Sequence, residues 1–596
     1  MKTKRQNRKF LIINGLIAVI GLIIRLIAGF QLLRYDSRVA DPAKVTDMWT
    51  YLNFAREILS GEVPREFYYQ PFYYSVFLPI VQFFWRDSMA PIIIVQSLCG
   101  AGAIYLAGLL AGRIAGKKAG LIAAGLLALS QICIIYTPYA LLETMQSFWL
   151  ILLLYMTFRS WSGNHLWQWL LTGVVLSFAI LSRGNAWIFL PAIILAAWFA
   201  SRKKEMRKRS FALVCGVILL GTILPQLPYS IVNTVESGYL RGPSTAGGNV
   251  LALGNTPEAP PGGLTYPETY QLWMEKEQEV PISKRIIDWA LEEPLPFLEL
   301  QFRKVFLFWD QREIPNNISP AEALEKAPLL NAFRFIPTGV ILIGALLCIF
   351  LSLRKIFKGK ERLLTAILFV LLYCFGMAAF YNLARFRVPC VPLLCVLAGG
   401  GIFFFLKCFR KDEKKKLRIL LGVFALLLAY FIVYPGYDFY RAYCEPGIMR
   451  AIRPDGVNVP NRLGGRLIYD HGPRILGDWQ PVRARCLFKE YKLQEPITAG
   501  SRIKVSIAVV CGGGRPIIGV NGLYVDLSAV PKGTVQMIHL EVPYPGDNVF
   551  RVEFTENLFP VVDLQRAYGR TYDYRGAPID AELAMSISTF GKEKQK

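Results

Sequence analysis

For its first 435 residues the chain alternates between long apolar runs and short polar links, and after that the pattern changes. Apolar runs of the length that crosses a hydrocarbon core of about 30 Å predict about eleven membrane spans. They fall at approximately 10–33, 90–112, 119–137, 142–158, 166–182, 186–201, 211–233, 334–353, 363–382, 388–406 and 418–435. The first run is too long for a signal-peptide core and lacks a small-residue cleavage site, so it reads as a retained span. Two polar segments, 34–89 and 234–333, interrupt the series, and neither reads as a plain linker.

In the first segment, Thr46 can cap a helix that ends at Gly61, with Met48, Tyr51, Leu52, Ala55 and Leu59 on one face. Such a helix would lie in the membrane interface, with Asp47 in its first turn. The following "FYYQPFYYSVFLPIVQFFW" is dense in aromatics, which favour the headgroup level, and predicts a second interfacial helix or a re-entrant one. From about 450, short alternating runs such as "RIKVSIAVV", "RPIIGV", "QMIHLEV" and "FRVEF" are separated by Gly, Pro and Asp turns. They predict a small antiparallel β domain of sandwich or jelly-roll type. The expected architecture is therefore a polytopic α-helical membrane domain over 1–435 and an external β-sandwich-like domain over 450–596.

Composition supports the membrane assignment, since the chain is 54% hydrophobic with a mean hydropathy of +0.36. A formal charge of +24 raises the question of nucleic acid, and its location answers it. Almost all of the excess sits in the links 2–9, 113–118, 159, 202–209, 354–362 and 407–418. That is the positive-inside pattern and not a nucleic-acid patch. It puts the N-terminus in the cytoplasm, and both long polar segments and everything after Tyr434 outside. Three histidines form no cluster, and eleven cysteines contain no CxxC pair. A His-built metal site is therefore not expected. Only Cys444, Cys486 and Cys511 fall in the polar C-terminal part, where at most one disulfide can form.

With this topology, unusual polar residues gather at the external ends of the spans. Asp41 and Asp47 lie in the first loop, and Glu143 begins the fourth span. Arg183 joins spans five and six, while Arg385 and Arg387 join nine and ten. Charged residues at the membrane margin are costly and so are candidates for function. Asp47 can act as a general base or simply complement a helix N-terminus. Glu143 can be part of a site or mark where a span meets water. The three arginines run against the positive-inside bias, and their planar fork suits a lipid phosphate. Arg25, inside the first span, can snorkel outward or pair with an acid. Tyr68, Tyr69, Phe72, Tyr73 and Tyr74 fit interfacial packing better than sugar stacking.

In this order, "TDMWTYLNFAREILSGE", "FYYQPFYYSVFL", "LLETM", "LSRGNAWIFLP", "STAGGNVLALGNTPEAPPGG", "FWDQREIPNN" and "ARFRVPCVPLLCVLAG" resemble a known family. It is the bacterial GT-C-fold glycosyltransferases related to protein O-mannosyltransferases and aminoarabinose lipid A transferases. The resemblance covers roughly residues 10–435. It implies an enzyme of the bacterial cytoplasmic membrane that moves a sugar from a polyprenyl-phosphate donor to an acceptor hydroxyl outside, with inversion. Asp47 matches the first-loop acid that acts on the acceptor, and Glu143 the second acidic position. Arg183 matches the arginine of an "R-P-N"-like motif in which Gly184 replaces proline. Arg385 and Arg387 match a basic pair that would hold the donor phosphate. Tyr69, Gln70, Asn249, Asn255 and Glu313 fall in loops that shape the site. The acceptor is a glycan, lipid or protein, and the only cofactor left open is a divalent cation.

The physical reading agrees with the resemblance. A sugar phosphodiester carries its own leaving group, so catalysis needs a base for the acceptor and cations for the departing phosphate. No nucleotide-binding fingerprint occurs. The rivals are a transporter or flippase of lipid-linked glycans, a glycan ligase or polymerase, and an inert anchor for the β domain. A transporter predicts paired repeats and interrupted helices, and the sequence displays neither.

Overall fold

A computed structural model describes most of residues 2–430 and the backbone of eight strands between 466 and 589. Within 2–430 it leaves out 43–45, 63, 86–87, 164, 204–207, 258, 260, 263–267, 276–279, 315, 319, 353–359 and 410–412. The apolar runs form helices, as a chain without water to satisfy its peptide groups must. Helix α1 (Lys2–Tyr35) leads into α2 (Ser37–Ala40) and α3 (Asp47–Leu59). A π-helical turn at Tyr73–Phe77 continues into α4 (Leu78–Gln82). Then come α5 (Ala90–Ala115), α6 (Lys117–Ala128), α7 (Gln131–Tyr136), α8 (Glu143–Gly163) and α9 (Leu166–Ser182). A 3₁₀ turn at Gly184–Phe189 starts α10 (Leu190–Lys203), followed by α11 (Lys208–Ile223) and α12 (Leu227–Ser237).

The second polar segment is helical too: α13 (Gly247–Gly254), α14 (Glu268–Glu275), α15 (Ile282–Glu292), α16 (Pro294–Phe308), α17 (Pro320–Lys326) and α18 (Pro328–Phe333). The last helices are α19 (Thr338–Ser352), α20 (Glu361–Ala378), α21 (Ala384–Arg387), α22 (Val391–Cys408) and α23 (Glu413–Leu428). Among the described residues, six helical stretches are long and apolar enough to cross a membrane, and α9 and α19 are shorter apolar helices. The molecule is a multi-pass helical membrane protein.

Helix α3 starts where the sequence places it. The Thr46 side chain accepts from Trp49 N at 3.3 Å, and Gly61 takes a φ of +95° beyond the end. Met48, Tyr51, Leu52 and Ala55 are buried. They meet protein as well as any lipid: Tyr51 lies edge-on to Tyr73, with ring centroids 5.4 Å apart. The face expected to rest in the interface therefore packs on the aromatic segment that follows it.

The run expected as one span at 119–137 is interrupted. Ser130 forms a parallel bridge with Ile336, and Gln131 N donates to Ile336 O at 2.9 Å. Ile336 N in turn donates to Leu129 O at 2.9 Å, so an inserted backbone satisfies the break between α6 and α7. This corrects the expectation of uninterrupted helices. Arg25 completes the repair: its guanidinium donates to Leu127 O at 2.9 Å and Ala128 O at 3.2 Å. It neither snorkels nor meets an acid, but caps the C-terminus of α6, where a cation complements the exposed carbonyls. Gly100 leaves room for it, since a Cβ there would lie 2.8 Å from Arg25 Nε.

Beyond α23, eight strands pair antiparallel in two sheets: β1 (Arg466–His471), β2 (Phe488–Lys492), β3 (Ile503–Cys511), β4 (Ile517–Val520), β5 (Leu523–Asp526), β6 (Val535–Val542), β7 (Val549–Phe554) and β8 (Ala581–Thr589). One sheet has the order β1-β2-β7-β4-β5 and the other β6-β3-β8. The four quoted runs coincide with β3, β4, β6 and β7. The side chains of Cys444, Cys486 and Cys511 lie outside the described residues.

Candidate active site

The first-loop helix, the loop before α13 and the ends of several spans enclose a cavity of about 750 Å³. Among the described residues its charged lining is Asp47, Arg183 and Arg385, an excess of one positive charge facing one space. Tyr69, Gln70 and Asn249 line it as well. Six residues singled out in the sequence thus meet here, although they span 47 to 385.

Each is held by local structure. Asp47 sits at the first turn of α3, its side chain 25% exposed to the cavity. Its Oδ2 is ion-paired with Arg385 and accepts from Asn317 Nδ2 at 3.1 Å. Burial alone would raise its pKa. The charge and hydrogen bond of Arg385, the hydrogen bond of Asn317 and the charge of Arg183 outweigh that and hold the carboxyl below its ordinary value. Asp47 is therefore ionised at neutral pH. Tyr51, one turn on, goes the other way: burial first and the Asp47 charge next push its phenol well above the ordinary range.

Arg183 ends α9 in extended backbone, with φ −157° and ψ 113°. From there its Nη2 reaches Glu143 Oε1 at 2.8 Å. Glu143 is buried, and its Oε2 has no hydrogen-bond partner among the described residues. It stands behind Arg183 and is not part of the cavity lining. The guanidinium carbons of Arg183 and Arg385 lie 4.3 and 4.9 Å from the ring centroid of Phe386, which fixes both through cation–π contact. Helix α21 is itself anchored by Ala384 N donating to Ile314 O at 2.8 Å.

The neutral end is built from paired loops. Ala246 N donates to Tyr68 O at 2.9 Å, and Asn249 Nδ2 donates to Tyr68 Oη at 2.6 Å. Tyr270 Oη donates to Asn249 Oδ1 at 2.8 Å. These bonds align amide and phenol groups along one side of the cavity.

The remaining named residues are elsewhere. Arg387 is buried, ion-paired with Glu313 at 2.8 Å and donating to the backbone carbonyls of Phe308, Asp310 and Arg312. Neither Arg387 nor Glu313 lines the cavity. Thr338 Oγ1 donates to Glu313 Oε1 at 2.5 Å. Asn255 is also behind the wall, donating to Leu251 O and Ala379 O at 2.9 and 2.8 Å. Asp41 is exposed and outside the cavity. Conversely, Asn317 was not singled out, although the tandem asparagines of "FWDQREIPNN" signalled it. A divalent cation fits poorly: Asp47 and Glu143 each face a guanidinium, and the described residues hold no group of three His, Cys, Asp or Glu.

The first half of the cavity's frame is where a known family enters. Residues 70–229 match the family of dolichyl-phosphate-mannose-protein mannosyltransferases. Within that segment the expected likeness to protein O-mannosyltransferases is met. No curated protein matches the chain. Among solved structures, the chain is similar to the oligosaccharyltransferase AglB of Archaeoglobus fulgidus, in complex with an inhibitory peptide and a dolichol-phosphate. Identity is 15%, coverage 72% of this chain and 55% of that one, and the TM-score 0.42. A second is ArnT of Cupriavidus metallidurans bound to undecaprenyl phosphate, with 14% identity, 70% and 63% coverage, and a TM-score of 0.36. A third is the arabinosyltransferase EmbB of Mycobacterium smegmatis, with 11% identity, 97% and 64% coverage, and a TM-score of 0.26. The chain spans about half the length of AglB and under two thirds of the other two. At these scores the structural likenesses carry no argument about function.

Proposed function

We propose that the protein is an integral membrane glycosyltransferase that moves a sugar from a polyprenyl phosphate to an acceptor hydroxyl. The observation that carries this reading is one ionised carboxylate, Asp47, lining a single cavity together with two guanidinium groups, Arg183 and Arg385. The match of 70–229 to a family named for a lipid-phosphate sugar donor supports the same chemistry.

In this mechanism the acceptor hydroxyl loses its proton to Asp47 as its oxygen bonds to the anomeric carbon. The bond from that carbon to the phosphate oxygen breaks, and polyprenyl phosphate leaves with the electron pair. A single displacement inverts the anomeric centre. Arg183 and Arg385 stabilise charge that builds on the phosphate, where fixed cations in a partly dry site are most effective. Arg385 changes partner on donor binding, from Asp47 to phosphate, which frees the carboxylate for the acceptor. Glu143 keeps Arg183 oriented. Arg387, first read as a phosphate ligand, supports the loop beneath α21.

The positive-inside pattern supports a cavity on the external face of a bacterial cytoplasmic membrane. It also supports a membrane domain over 1–435 with 450–596 outside, and the eight described strands in two sheets support a β-sandwich-like domain there. The interruption between α6 and α7 does not favour a transporter, because Ile336 and Arg25 satisfy its backbone. The test supplies membranes carrying the protein with radiolabelled polyprenyl-phosphate sugars and follows label into acceptor. Label moves with wild type and stops with Asp47→Asn at equal membrane insertion. Failure of every donor with wild type would overturn the reading.

A further inference from the structure

Behind the cavity wall, Lys304 of α16 is fully buried, and among the described residues it forms no ion pair. Its Nζ donates to Gly254 O at 2.5 Å and to Asn255 Oδ1 at 2.9 Å. Its own carbonyl accepts from Asn382 Nδ2 at 2.5 Å. Asn255 Oδ1 also accepts from Gln301 at 3.0 Å, and Asn255 Nδ2 donates across to Ala379 O. Gly254 lies so close to the next segment that a Cβ would sit 2.0 Å from Phe380 O. Gly262 bridges Asn382. Three segments, the end of α13, α16 and residues 379–382, are thus tied at one point.

A buried amine without a counter-charge is costly, and burial pushes the Lys304 amine well below its ordinary value. A methionine would fill the same space at lower cost, so the two donated bonds are what the lysine adds. On the cavity side of this knot, α13 presents Asn249 and Leu253, and the partner segment presents Phe380, Tyr381 and Arg385. We propose that Lys304 is a positioning residue that sets the spacing between these two walls and so places Arg385 at the lipid phosphate. The proposal rests on Arg385 being a phosphate ligand.

The test uses the purified full chain with undecaprenyl phosphate as probe. Lys304→Met weakens binding about tenfold at unchanged insertion, and adds nothing to the loss already caused by Arg385→Gln. A purely structural lysine gives additive effects instead, and additivity overturns the proposal. Hydrogen exchange without ligand supplies the second readout: Lys304→Met speeds exchange in 249–255 and 379–387, and unchanged exchange there overturns the knot. If Lys304→Met does not insert, Asn382→Ala replaces it, with weaker binding in the same direction and the same non-additivity. Wild type that ignores the lipid overturns the phosphate reading alone, and the exchange comparison still decides the knot.

Discussion

Asp36 and Asp47 lie eleven positions apart, each at the start of a short helix after the first span, yet their surroundings differ completely. Asp36 is fully buried. It caps α2, pairs with Arg38 at 2.6 Å and Lys326 at 3.2 Å, and accepts from Tyr139 Oη at 2.7 Å. Asp47 is partly open to the cavity, and its Oδ2 alone takes both Arg385 and Asn317. The first carboxylate is saturated by protein donors and joins the end of α1, α17 and the loop between α7 and α8. The second is left able to exchange partners. An acid surrounded on all sides holds a fold, and one with an open side can hold a proton.

The comparison is broken most sharply at the arginines, which repeat it two residues apart. Arg385→Gln should lower transfer about 10²–10³-fold, as loss of one fixed donor to a developing anion does. Its thermal midpoint should fall less than that of Arg387→Leu, and initial rates on the labelled donor together with thermal unfolding check the pair. Arg387→Leu should do the reverse. It leaves Glu313 without its cation and three carbonyls without donors, costing stability on the order of 3 kcal/mol by denaturant titration. Its transfer rate per folded molecule should remain within about threefold of wild type. A rate loss as large as that of Arg385→Gln would make Arg387 a ligand after all.

That contrast also marks what the sequence made legible. Asp47, Arg183, Arg385, Tyr69, Gln70 and Asn249 could be named because charge patterning grouped the span ends that carry charged residues and the motif order supplied the rest. Arg387 looked equivalent to Arg385, but residues two apart on a helix point to different sides, and sequence adjacency hides that. Asn255 and Glu313 sit beside cavity-forming loops but are engaged behind the wall, Asn255 by Leu251 O and Ala379 O and Glu313 by Arg387 and Thr338, partners that sequence proximity does not show. Asp36 passed unnoticed beside the more conspicuous Asp41, because saturation by Arg38, Lys326 and Tyr139 depends on residues up to 290 positions distant. The break between α6 and α7 has only Ser130 and Gln131 to announce it within a long apolar run, since the pairing that repairs it comes from Ile336.

Smaller effects sharpen the account. Gly254→Ala should cost about 1–3 kcal/mol, because its new methyl meets the Phe380 carbonyl with no flexible neighbour to yield. Weaker lipid binding should accompany it if the walls move apart. The pH dependence should be the smallest effect near neutrality. Burial disfavours the charged form of Asp36, but Arg38, Tyr139 and Lys326 together hold its carboxyl below the ordinary value. Its contribution is therefore complete above about pH 4 and is lost as pH falls through the lower folded value. The thermal midpoint should decline below about pH 4, and less steeply in Asp36→Asn.

The most direct test measures initial transfer rate and thermal midpoint together on purified Asp36→Asn and Asp47→Asn. The account predicts a crossed result. Asp36→Asn loses stability and keeps its rate per folded molecule, whereas Asp47→Asn loses less stability than Asp36→Asn and loses transfer by about 10²–10⁴-fold, the contribution of a general base. Transfer by Asp47→Asn within about threefold of wild type would contradict the central claim that this carboxylate takes the acceptor's proton.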